Sequence, residues 1–140
     1  MYGNLEELDL IDLINSRHLL LNEVRNELWE SISDIPVSNS EFYIMSKVFL
    51  KKPTISAIAK QVHFTRQATH KFIRKLEEKG LVKVHPANLR DKCVELTELG
   101  LNYFEKYIAL KKEIENRICE QIGVANVKKL KEVLKMEWGL

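Results

Sequence analysis

Residues Thr65 to Lys79, followed by Gly80, separate into an apolar face and a basic face when wound as an α-helix. At about 100° per residue, Ala68, Thr69, Phe72 and Leu76 fall on one side with Thr65, while Gln67, His70, Lys71 and Arg74 fall opposite with Arg66 beside them. The first set is built to pack against a core. The second set donates hydrogen bonds outward, as a helix lying in a DNA major groove must do to reach phosphates and base edges. The plainer reading is a solvated surface helix, so the surrounding sequence has to decide.

Charge is the first deciding feature. The 140-residue chain carries a formal net charge of only +2. Between Lys51 and Lys92, however, eight Lys and three Arg stand against Glu77, Glu78 and Asp91, a net +8 that leaves −6 for the remainder. A basic middle between acidic arms favours contact with a polyanion at one surface. Composition otherwise describes one ordinary domain over 1–140, with 45% apolar and 30% charged residues.

The segments around this helix give it a setting. From Leu5 to Ile32, Leu10, Ile14, Leu21, Val24, Leu28 and Ile32 recur at helical spacings without Pro or internal Gly. A helix of that length, about 42 Å, exceeds what a small core needs, and a second protomer is the simplest partner for its surplus stripe. After Pro36, Ser38-Asn39-Ser40-Glu41 has the form of a capping box and predicts a helix with Phe42, Ile44, Met45, Val48 and Phe49 as its apolar face, stopped by Lys51-Lys52-Pro53. Thr54 then caps a short helix carrying Ile55, Ile58, Ala59 and Val62, and Val62 to Thr65 turns into the basic helix, with Thr65 as its cap. Two short helices joined so tightly form a helix-turn-helix.

Beyond Gly80, a left-handed C-cap, the period changes. Leu81 to His85 and Cys93 to Leu96 alternate as paired strands, with Pro86 to Lys92 as the basic loop between them, the shape of a wing. Thr97 caps a second long helix to about Ile122, with Leu101, Phe104, Ile108, Ile114 and Ile118 as its stripe. Gly123 breaks it, and Asn126 is expected to cap a last short helix with Val127, Leu130, Val133, Leu134 and Trp138. The expected fold is mainly α (α+β): a winged helix-turn-helix over 37–100, a two- to three-stranded β-wing, and long terminal helices over 1–34 and 101–140.

This order of elements resembles the MarR family of winged-helix transcription regulators. The likeness is carried by Ile58-Ala59-Lys60, by Thr65 through Val82 with its Leu76-Glu77-Glu78-Lys79-Gly80-Leu81-Val82 run, and by Leu96-Thr97-Glu98-Leu99-Gly100. The resemblance implies an obligate homodimer whose terminal helices interleave, and whose two basic helices meet a pseudo-palindromic operator on double-stranded DNA. It also implies a transcriptional repressor, a small apolar or phenolic effector between the lobes, and Arg90 entering the minor groove. One departure stands out: Arg90-Asp91-Lys92 runs almost at once into Cys93-Val94-Glu95-Leu96-Thr97, which implies a short second strand and a shorter reach for the wing.

Within that frame the DNA-binding set is Thr54, Ser56, Thr65, Arg66, Gln67, Thr69, His70, Lys71, Arg74, Arg90 and Lys92. Arg66 suits guanine, Gln67 suits adenine, and His70 joins them at base edges, while Lys71 and Arg74 face phosphates. Thr54 and Ser56 could meet a phosphate at the start of their helix, although capping alone would explain Thr54. No two of His18, His63, His70, His85, Cys93 and Cys119 have the i,i+4 spacing of a helical zinc site, so neither metal nor cofactor is expected, and both cysteines read as structural. No nucleophile with its base, phosphate-cradling glycine loop or paired carboxylates marks an enzyme. No apolar run exceeds four residues, so no membrane span is expected and the cytoplasm is the expected location. The competing readings are a helical protein-interaction adaptor that keeps the winged shape without reading DNA, and a metal-responsive regulator of the same family.

Overall fold

The structure, a computed structural model, describes residues 5–140; residues 1–4 of the expected N-terminal arm lie outside the described residues. After a 3-10 turn at Leu5–Glu7, helix α1 covers Leu10–Ile32. The helix expected from Leu5 therefore starts later, because the Asp9 carboxylate accepts from the Asp12 amide and caps it there. Leu10, Ile14, Leu21 and Ile32 remain exposed along it.

Helix α2 (Asn39–Val48) begins at the expected capping box: the Glu41 amide donates to Ser38 Oγ and the Ser38 amide to Glu41 Oε1, each at 3.1 Å. It ends before Lys51-Lys52-Pro53, because Leu50 takes a left-handed φ of 59° and the Lys51 amide closes on Val48 O. Helices α3 (Ile55–Gln61) and α4 (Arg66–Glu78) are capped by Thr54 and Thr65. Gly80, at φ +76°, ends α4 in a Schellman turn, its amide reaching Glu77 O and the Leu81 amide Leu76 O.

Strands β1 (Val82–Pro86) and β2 (Lys92–Leu96) pair antiparallel, with Val84 opposite Val94. The second strand is not short: Lys92 pairs with Pro86, so both strands have five residues and the loop shrinks to 87–91. An isolated bridge between Thr54 and Cys93, reinforced by the Val94 amide donating to Pro53 O at 2.9 Å, adds a rudimentary third strand.

Helix α5 (Glu98–Ile122) starts at Thr97 as expected, but its buried face is Gly100, Phe104, Tyr107 and Leu110. Ile108, expected in the stripe, is exposed. Helix α6 (Val124–Lys135) is capped by the Gly123 backbone and not by Asn126, whose side-chain amide instead donates back to Ile122 O. Trp138 lies past the end of α6 and donates to Val133 O.

The core sits where α2 crosses α4 and α5. Phe42, Ile44, Met45, Val48, Ile58, Leu76, Leu81 and Val94 are all buried there. Phe42 stacks on Tyr107 at 3.8 Å between ring centroids and takes the edge of Trp29 at 4.9 Å, so the end of α1 and the first half of α5 are packed onto the lobe that carries α4.

Candidate nucleic-acid interface

Helix α4 is fixed from below by three side chains about one turn apart: Thr69, Ile73 and Leu76 are buried, and Phe72 is half-buried. Ile73 belongs to this stripe beside the Ala68, Thr69, Phe72 and Leu76 expected from the sequence, at i+4 from Thr69 and i−3 from Leu76. With that face seated, Arg66, Gln67, His70, Lys71 and Arg74 are all exposed. They form two adjacent rows on the outer surface, Arg66, His70 and Arg74 in one and Gln67 and Lys71 in the next, with neighbours about 5–6 Å apart at Cβ. Among the described residues no carboxylate forms an ion pair with Arg66, Lys71 or Arg74, so their charge is uncommitted.

Two threonines of the expected set differ from this group. Thr69 is fully buried and its hydroxyl donates to Thr65 O at 2.9 Å, so it anchors the helix and is withdrawn from the DNA-facing set. Thr65 stays exposed, but its hydroxyl accepts from the Ala68 amide at 3.0 Å as the helix cap, with its proton free to point outward.

The tip of the wing is stiffened by Asn88, whose side-chain oxygen accepts from the amides of Arg90 and Asp91 at 2.9 Å each, while the Ala87 amide donates to Asp91 O. Leu89 stands fully out from this turn, Arg90 beside it is exposed, and Lys92 is exposed at the base of the loop. An exposed basic helix thus has a hairpin beside it with a cation at its tip.

Residues 37–100 match the family of winged helix DNA-binding domains. Over about nine-tenths of the chain the fold is similar to that of two solved structures: the DNA complex of MepR from Staphylococcus aureus (TM-score 0.77, 19% identity, 91% of this chain and 94% of that one) and apo MarR from E. coli (0.72, 19%, 91% and 96%). A MarR-family regulator from Rhodococcus sp. RHA1 aligns at TM-score 0.76 with 16% identity, over 95% of this chain and 94% of that one. This is a winged-helix protein with the MarR-regulator fold. No curated protein matches it by sequence.

In the winged-helix lobe Thr54 and Ser56 are both half-buried. The Thr54 hydroxyl accepts from the Ala57 amide at 3.1 Å, and both residues face the wing carboxylate of Asp91. That carboxyl is held below the usual Asp range, first by the Lys92 amide, at 2.8 Å, and then by the Ser56 hydroxyl. An acid therefore stands against the two hydroxyls that the sequence offered to a phosphate. Nothing local marked this contact, because wing and α3 meet through the Thr54–Cys93 bridge, far apart in the chain.

Glu95 is a second acid missed by sequence. Its carboxylate lies 3.0 Å from Lys52 Nζ, 3.4 Å from His85 Nε2 and 3.7 Å from Lys83 Nζ. The hydrogen bond from Lys52 is the main reason that Glu95 is pushed below the ordinary Glu value and Lys52 above its own. Part of the +8 of the middle segment is thus answered at the base of the wing, while among the described residues no carboxylate pairs with Arg66, Lys71 or Arg74 of α4. Cys93 and Cys119 are free half-buried thiols, and among the described residues no three His, Cys, Asp or Glu side chains converge as metal ligands. Among the described residues no helix is long and apolar enough to cross a membrane.

Proposed function

We propose that the chain is a dimeric MarR-family transcription regulator, a repressor that binds a pseudo-palindromic operator in double-stranded DNA. The observation that carries this reading is the outer face of α4, where Arg66, Gln67, His70, Lys71 and Arg74 stand exposed on a helix whose other face is locked into the core. Arg66, Gln67 and His70 read base edges, and Lys71 and Arg74 hold phosphates. Arg90 reaches the minor groove from the wing, with Lys92 behind it. The winged helix DNA-binding match over 37–100 and the DNA-bound state of the MepR neighbour support the assignment.

The dimer rests on apolar surface. Leu10, Ile14 and Leu21 on α1 and Leu130, Leu134 and Trp138 near the C-terminus are exposed in one protomer. A second copy covering 1–34 and 101–140 buries them and leaves the lobe 37–100 for DNA. Release by a small-molecule effector belongs to the same reading. A cavity of about 290 Å³ between α1, α5 and α6, walled by Leu21, Ile114, Ile118 and Leu130 with Arg25 and Lys111 at its side, offers space for one beside that interface.

Selection of genomic fragments by the purified chain, followed by footprinting, tests the proposal. The expected footprint has two symmetry-related half-sites about one helical turn apart. Recovery of no specific fragment would leave the adaptor reading in its place.

A further inference from the structure

The C-cap of the recognition helix is tied to the link between α1 and α2. Lys79 Nζ lies 2.7 Å from Pro36 O and 2.8 Å from each oxygen of Glu41, so all three ammonium donors are used. Glu41 is only 3% exposed, and the same carboxylate accepts from the Ser38 amide to complete the cap of α2. The preceding carbonyl, Ile35 O, accepts from Trp29 Nε1 in the last turn of α1 at 2.9 Å. Two consecutive carbonyls of one short link thus receive the end of α1 and the end of α4.

We infer that Lys79 is a positioning residue that sets the pitch of α4 against α1, and with it the spacing between the two half-sites that the dimer accepts. This rests on the dimeric DNA-binding reading above. The lever is long: Lys79 holds one end of α4 and Arg66 stands at the other, about 20 Å away along 13 residues. A rotation of about 10° at the clasp moves Arg66 by roughly 3.5 Å, about the rise of one base pair along a strand. Since α1 belongs to the proposed dimer interface, slack at Lys79 becomes slack in the distance between the two copies of Arg66. A clasp that served only to finish the helix would need neither the buried carboxylate nor the Pro36 carbonyl, because the Schellman turn at Gly80 already satisfies the last carbonyls.

The test compares binding of the full chain to its selected operator and to the same operator with one base pair inserted between the half-sites. For the unaltered protein the insertion is expected to weaken binding at least about tenfold. For Lys79→Met, and for Glu41→Gln/Lys79→Met, in which no charge is left buried, the difference falls to about threefold or less, while Lys79→Arg keeps most of it. Lys79→Gln, which retains a donor for Pro36 O, provides the same reading should the methionine variants fail to fold. Folded variants that lose affinity equally on both DNAs, or that keep the full discrimination, overturn the inference and leave the regulator reading standing. An unaltered protein that binds both DNAs alike overturns the two-fold arrangement and this inference with it.

Discussion

Gly100 packs its α-carbon against the carbonyl of Leu81, where a Cβ would stand 1.9 Å from the oxygen. The same carbonyl accepts from the Thr97 amide at 3.0 Å, and the Thr97 hydroxyl donates to Gly80 O at 2.6 Å. The end of α4, the start of the wing and the start of α5 are therefore pinned at one point. The obstacle is backbone and has no rotamer to yield. Gly100→Ala is expected to cost about 2–3 kcal/mol in urea unfolding, and a cost under about 0.5 kcal/mol would show that α5 can shift freely there.

Thr69 separates anchoring from reading within one helix. Thr69→Val fills nearly the same space and removes one donor from Thr65 O, which still accepts from the Thr69 amide at 2.9 Å. Stability should fall by about 1 kcal/mol or less, and operator affinity should stay within about threefold. A fall in affinity beyond about tenfold, with stability retained, would put this side chain at the DNA after all.

Asp91 makes a pH-dependent tie between wing and helix-turn-helix. Its carboxyl is held below the ordinary value of 3.8, so the charged form is favoured in the folded state. The stability it contributes is present at neutral pH and is lost as pH falls through the lowered value. A carboxyl titration followed by NMR should place its midpoint below that of an unstructured Asp, and Asp91→Asn should flatten the acid side of the stability curve. A midpoint at or above the ordinary value would mean that neither the Lys92 amide nor the Ser56 hydroxyl engages it in solution.

What the sequence disclosed and what it hid divide by range. Caps and turns are local, so Ser38 with Glu41, Thr54, Thr65, Gly80 and Thr97 all take the places that their neighbours imply. Faces are finally set by tertiary packing, which is why Ile108 is exposed although helical spacing places it in the stripe of α5, whereas Ile73, at i+4 from Thr69 and i−3 from Leu76, is buried as that spacing allows. Asn126 failed as a cap because Gly123, at φ +94°, already turns the chain. The acids Asp91 and Glu95 were legible only as charges, since Ser56 and Thr54 beside Asp91, and Lys52, Lys83 and His85 around Glu95, lie on other segments.

The salt dependence of operator binding for Arg66→Ala and Lys71→Ala, set against the unaltered chain and against random DNA, tests the central claim that the outer face of α4 reads DNA. Lys71→Ala should weaken binding to operator and random DNA alike and lower the slope of log K against log salt by about 1 for each phosphate that Lys71 neutralises. Arg66→Ala should instead narrow the gap between operator and random DNA, by about 1–3 kcal/mol if its pairing with guanine is bidentate. Affinities and slopes that both variants share with the unaltered chain would contradict the assignment of this face to DNA.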